Sequence, residues 1–275
     1  MRRIPFLFIL VLWSTGVVKA QIVQKGCKSH EMKGLKEGTL LVAAMPKDKR
    51  SVRIALTKYW KQCKFEFISD SIENHLHNPK IYVLNIYNGK FGLFCGDKRK
   101  LSSYLAGDYM MLMDQPFPDD VPASADYMIK SMNDAIDLVM NKKIHHGRMP
   151  VRTGHAISVD APKVKEKTLL IISEYSDKKG TDACILSDAI DDCKMKHKVV
   201  SERDAKKLMI SGDKNYCLLS YKVYANGDFV TFIKEAYIYD FETQKVVYAY
   251  FRKAKTPYSA FRSRDFRRMD RAVRK

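Results

Sequence analysis

Long apolar runs are almost missing from this 275-residue chain, and the single one, Ile4 to Val18, lies at its amino terminus. Fifteen residues interrupted by Ser14, Thr15 and Gly16 fall short of the ~20 that cross a bilayer, which argues against a membrane anchor. Arg2 and Arg3 precede the run, and Val18-Lys19-Ala20 offers small residues at a cleavage site before Gln21. Residues 1–20 therefore read as a secretory signal peptide, and the remainder as an exported chain, periplasmic or extracellular after cleavage. Cysteine is sparse as well. Six (Cys27, Cys63, Cys95, Cys184, Cys193 and Cys217) are too few for a scaffold that depends on disulfides. One or two bridges stay open, except between Cys184 and Cys193, which fall on opposite sides of one expected helix.

The patterns that carry chemistry are lacking too. There is no H-E-x-x-H, C-x-x-C, EF-hand loop, G-x-S-x-G elbow, Walker motif or G-x-G-x-x-G. The seven histidines include two local groups, His75-Leu76-His77 and His145-His146 with His155. Neither group has the third and fourth ligands that a metal site needs, so solvated loop side chains are the expected reading. His145, His146 and His155 remain the candidates for a metal, and no cofactor is expected.

Negative charge is in short supply: 31 acidic residues face 49 Lys and Arg, a net charge of +18. Loss of the signal peptide removes Arg2, Arg3 and Lys19 and no acid. The excess gathers at the end, where Arg252 to Lys275 holds ten Lys or Arg against only Asp265 and Asp270. Taken as a helix, this tail places Tyr258, Phe266, Met269 and Val273 in one sector. Arg262, Arg264, Arg267, Arg268, Arg271 and Arg274 fall mostly outside it, forming a candidate anionic-surface site. The plainer reading docks the apolar stripe on the protein and leaves the arginines in water.

What is present in abundance is self-similarity. Lys36-Glu37-Gly38-Thr39-Leu40-Leu41-Val42 returns 129 residues later as Lys165-Glu166-Lys167-Thr168-Leu169-Leu170-Ile171. Cys63-Lys64 returns as Cys193-Lys194, and Asn88-Gly89-Lys90-Phe91 as Asn226-Gly227-Asp228-Phe229. Matches in the same order at this long period predict paired domains rather than a solenoid. Apolar runs, caps and Asn-Gly turns in each copy give an α+β fold: two tandem β-α-β-α-β-β(-β) modules, each a mixed sheet with helices on one face. Module 1 spans 21–122 and module 2 spans 165–255. A connecting helix over 123–143 joins them through a linker at 144–164, and the basic amphipathic tail occupies 256–275. Met269-Asp270-Arg271-Ala272-Val273 echoes Met132-Asn133-Asp134-Ala135-Ile136, so each module is expected to end in a trailing helix. The strand tyrosines Tyr82, Tyr87, Tyr216, Tyr221, Tyr237, Tyr239, Tyr248 and Tyr250 read as sheet-face packing. Asp188, Asp191 and Asp192 read as solvated surface.

A helix near Ala205 to Met209, the strand Tyr216-Cys217-Leu218-Leu219-Ser220, and Tyr239-Asp240-Phe241-Glu242-Thr243-Gln244-Lys245-Val246-Val247 together resemble a known module. It is the bacterial envelope module of TolB amino-terminal, LpoB and CsgG-like proteins, in which an Asp–Thr–Gly-type turn closes the domain; Gln244 stands here in place of the Gly. The resemblance covers about residues 165 to 251. It implies a non-enzymatic interaction or assembly role, binding a protein of the cell envelope. The basic tail adds an anionic envelope component as a candidate partner, with peripheral membrane contact open and nucleic acid disfavoured. The rival readings are an enzyme, hydrolytic or metal-dependent, with a site between the modules, and binding of an anionic polymer or lipid by the tail.

Overall fold

The computed structural model of the protein describes residues 34–69, 72–75, 78, 80–87, 90–95, 111–114, 116–117, 120–142, 158–175, 185, 187–225, 232–254 and 260–275. The expected signal peptide, Cys27, Cys184, His77, His145, His146, His155 and Tyr258 lie outside them.

The apolar run of the first copy forms β1 (Thr39–Ala43), and helix α1 (Lys49–Tyr59) follows it. That helix starts two residues ahead of Ser51, whose hydroxyl donates to the Asp48 carbonyl at 2.9 Å rather than capping the helix. Strands β2 (Lys64–Phe67), β3 (Ile81–Tyr87), β4 (Lys90–Cys95) and β5 (Met111–Asp114) complete a five-stranded sheet in the order β2-β1-β3-β4-β5. β1 runs parallel to β2 and β3, while β3–β4 and β4–β5 are antiparallel. Helix α2 (Val121–Lys142) trails this sheet.

The second copy repeats the arrangement. Its strands are β6 (Thr168–Ile172), β7 (His197–Val200), β8 (Tyr216–Ala225), β9 (Phe232–Asp240) and β10 (Lys245–Ala254). Their order, β7-β6-β8-β9-β10, and their senses are those of the first sheet. Helices α3 (Ser187–Ile190), α4 (Glu202–Ser211) and α5 (Ser263–Val273) accompany it. Ser201 caps α4 by accepting the Asp204 N–H at 3.1 Å, and Gly212 ends it at φ 66°, a left-handed conformation that suits glycine. Both Asn-Gly pairs begin hairpin connections, but of different length. Tyr87 pairs with Lys90 across two residues, whereas Ala225 pairs with Phe232 across six. The α+β class with two mixed sheets is thus the observed architecture.

The sheets stack in layers rather than standing apart. On one side, Leu40, Val42, Leu84 and Ile86 of the first sheet join Val52 and Leu56 of α1 and Met128, Ile129, Met132 and Ile136 of α2. The same cluster continues into Leu170, Ile172, Leu218, Tyr237 and Tyr239 of the second sheet and Ala205 and Met209 of α4. α2 is therefore the shared middle layer. Tyr127 on it donates to the Met209 carbonyl at 2.8 Å, Ser131 accepts the Val246 N–H at 3.0 Å, and Asp134 pairs with Lys245 at 3.2 Å. The opposite face of the second sheet, with Leu169, Ile171, Leu219 and Ile238, buries against α3, α5 and the 3-10 segment Ser158–Val164.

Two expectations change accordingly. Helices on one face describe α1 and α2 on the first sheet, but the second sheet is covered on both faces. The reason lies in its crossovers: β6-to-β7 and β7-to-β8 step in opposite directions, so right-handed connections place α3 and α4 on opposite sides. The last part of the expected linker over 144–164 also packs: Ser158–Val164 is a 3-10 segment whose Ala161 and Val164 are fully buried in the second core. Of the strand tyrosines, Tyr82, Tyr221, Tyr237, Tyr239, Tyr248 and Tyr250 are buried, as sheet-face packing requires, and Tyr216 is half-buried.

Candidate functional site

Helix α5 sits on the second sheet through Phe266, Met269 and Val273, each at most 1% exposed. Full burial of such side chains contributes about 1.5–3 kcal/mol apiece. Polar contacts fix its rotation and register. Lys234, within β9, donates to Asp265 at 2.5 Å, and both side chains are 2% exposed. Burial drives the Lys234 ammonium towards its neutral form, opposed by the Asp265 carboxylate, and the net direction is downward. The same Asp265 oxygen, Oδ2, also accepts the Arg262 backbone N–H at 3.1 Å, closing the first turn. Further along, Asp270 accepts the Lys194 N–H at 3.1 Å. Asn133 on α2 makes the matching contact, accepting the Lys61 N–H at 3.0 Å, in the loop that leads to β2. The two trailing helices therefore brace equivalent loops with side chains at the positions the sequence echo aligns.

This docking sorts the charges of the tail by sign. Both of its acids, Asp265 and Asp270, point inward, whereas Arg262, Arg264, Arg267, Arg268, Arg271, Arg274 and Lys275 are all exposed. From Arg264 to Arg274 the row covers ~15 Å at the α-helical rise. Arg268 stacks over the Tyr250 ring at 4.7 Å, and Arg274 donates to the Lys194 carbonyl at 3.4 Å. Lys194, Lys196 and Lys198 lie exposed beside that end of the helix, in and before β7. α5 exposes no large apolar side chain. Asp188, Asp191 and Asp192 are exposed, as expected of a solvated surface.

A second feature lies in the first module. Ala43, Ala44, Met45, Pro46, Lys49, Ile68, Ser69, Asn85 and Ile86 line a cavity of about 340 Å³. It opens at the carboxyl ends of β1 and β2, beside the start of α1, where ligands commonly bind in open α/β sheets. No sequence motif marks it. Among the described residues its only charged lining group is Lys49, whose ammonium lies 3.4 Å from the Ile68 carbonyl.

Other candidates carry less. The linker histidines lie outside the described residues, and no group of three His, Cys, Asp or Glu able to hold a metal exists among the described residues. Cys63, Cys193 and Cys217 are free. Burial pushes the Cys193 thiol up to about 12 and that of Cys217 higher still, which keeps both protonated and unreactive at neutral pH. Lys167 pairs with the buried Asp240 at 2.6 Å and the exposed Glu242 at 2.7 Å, and Thr243 donates to Asp240 through its hydroxyl at 2.6 Å. That cluster ties the turn before β6 to the β9–β10 turn. Gln244 in the same turn holds φ 53°, and its side-chain carbonyl accepts from the Tyr59 hydroxyl on α1. No helix among the described residues is long and apolar enough to cross a membrane. No family model, curated protein or solved structure matches the chain.

Proposed function

We propose that this is an exported, non-enzymatic binding protein of the cell envelope, and that it engages a linear polyanion along the outward face of α5. The observation that carries the reading is the sorting of charge: α5 with its flanking residues turns both of its acids into the core and presents seven cations to solvent. Solubility alone is served by mixed signs, and a single-sign field on one rigid helix carries a cost in self-repulsion. Opposite charge on a partner removes that cost. A phosphate- or sulfate-bearing polymer fits the geometry better than a bilayer does. The cations form one narrow row, and the apolar side of α5 is committed to the core, so nothing on the helix is left to insert among lipid tails. Nucleic acid readers of the single-stranded kind add exposed stacking aromatics, and α5 shows none.

The test is retention of the full mature chain on immobilised polyphosphate, on heparin and on vesicles of anionic lipid, at equal charge density. Polymer binding that exceeds vesicle binding at least tenfold is expected. Binding to vesicles alone, or to none of the three at low salt, contradicts the reading.

A further inference from the structure

The two sheets allow the cavity of the first module to be read against its counterpart in the second. Met45 lies two residues beyond β1, and Glu174 lies two residues beyond β6. The parallel registers Leu40 to Phe65 and Leu169 to His197 place Ser69 and Ser201 at matching points, each four residues further along. In the second module this crevice holds the chain's own carboxylate. Both oxygens of Glu174 accept the Glu202 N–H, at 3.0 and 3.1 Å, and the Ser173 hydroxyl donates to it at 2.8 Å.

In the first module the corresponding carboxylate is gone. Methionine replaces it, 42% exposed at the mouth of the open cavity, and Lys49 stands in the lining. Among the described residues the lining of the cavity holds Lys49 and no carboxylate. We infer that this cavity is a carboxylate-binding site, taking a small monocarboxylate whose short apolar body packs on Ala44, Met45, Ile68 and Ile86 while Lys49 and Ser69 meet its oxygens. The volume of about 340 Å³ is at the small end of ligand pockets, which limits the body to a few carbons, about the size of one leucine residue. Such a carboxylate has two sources, a free small acid or the carboxyl terminus of a peptide, and the same contacts serve both. The site is separate from the arginine row on α5, so its fate and that of the polyanion reading are independent.

Calorimetric titration of the full mature chain tests it with N-acetyl-leucine, N-acetyl-leucinamide, and acetyl-Ala-Ala-Leu with a free or an amidated terminus. At least one free acid is expected to bind, with its amide weaker by tenfold or more. A free-terminus peptide tenfold tighter than acetyl-leucine identifies a peptide end as the ligand; equal affinities identify a small acid. Lys49→Met is expected to cost at least tenfold. Met45→Glu, which installs the side chain the second module has, should abolish binding by occupying the site, with an unchanged or raised melting temperature confirming that the variant folds. Binding of acid and amide alike, no binding of either acid, or wild-type affinity in folded Lys49→Met or Met45→Glu overturns the inference.

Discussion

Asp265 and Lys234 show how much one buried pair decides. Each is 2% exposed and each is the other's counter-charge. Removing one partner leaves a charge stranded in the core, which costs about 3–5 kcal/mol, whereas an apolar pair of similar volume is close to neutral. Asp265→Ala is therefore expected to lower unfolding free energy by about that amount in urea titration, and Lys234→Met with Asp265→Leu to recover most of it. Equal stability of Asp265→Ala and the parent would mean that the pair does not anchor the helix. Lys167 gives a pH signature. Burial opposes its charge, but the hydrogen bonds it donates to Asp240 and Glu242 outweigh burial and hold its pKa above the ordinary 10.5. A group raised in the folded state stabilises fully below the unfolded value and ceases to as pH climbs through the folded one. Stability should accordingly fall above about pH 10.5, and Lys167→Met should flatten that alkaline limb. The inward direction of Asp265 and Asp270 was not legible in the sequence, where both counted simply against the tail's positive charge. Only Lys234, thirty-one residues earlier in chain order, explains why an acid belongs inside.

At the scale of elements, most strands were legible because their apolar runs are short, bounded and doubled. The trailing-helix echo of Met132-Asn133 and Met269-Asp270 proved informative, since both polar residues brace a helix-to-strand loop. The short strand β5 went unread, because its four residues carry no alternation to distinguish them. The segment Ser158–Val164 read as linker for a similar reason: Pro162 and its charged neighbours mask the two buried residues, Ala161 and Val164. The tail's amphipathicity is plain in the sequence, and the structure has the arrangement of the plainer reading, with the apolar stripe docked and the arginines outward. Deleting the tail consequently removes core as well as charge and confounds any binding assay. Phe266→Ala alone should cost about 3–5 kcal/mol, read by denaturant titration. Replacing Arg264, Arg267, Arg271 and Arg274 by Gln should change the melting temperature by no more than a few degrees, since exposed substitutions are usually within about 0.5 kcal/mol each.

The whole molecule departs furthest from the expectation of two modules joined by a linker. Periodicity within a strand or helix says which face is apolar but not which neighbour covers it, so the sharing of α2 between two sheets could not be seen. α2 is apolar around most of its circumference, with Met128, Ile129, Met132, Ala135 and Ile136 buried on one core and Tyr127 and Ser131 turned to the second sheet. In contrast, α5 at the outer layer is apolar on one side only. That difference is what stacked repeats require, with a terminal element whose outer face is polar. A shared middle layer also predicts one cooperative unfolding transition for the mature chain, with coincident midpoints by fluorescence and circular dichroism. Chains ending at residue 143 or beginning at 144 are expected to remain unfolded or aggregate. Two resolved transitions would show that the cores are separate.

The central claim is that the outward arginines of α5 are a binding surface and not simply a soluble face. It is tested most directly by the salt dependence of polyphosphate affinity, measured for the mature chain and for the variant with Gln at 264, 267, 271 and 274. Each phosphate neutralised contributes roughly 0.7–0.9 to the slope of log affinity against log salt. The account predicts a steep slope for the parent and one shallower by about 3 for the variant, with weaker binding throughout. Identical slopes in two equally folded proteins would contradict it.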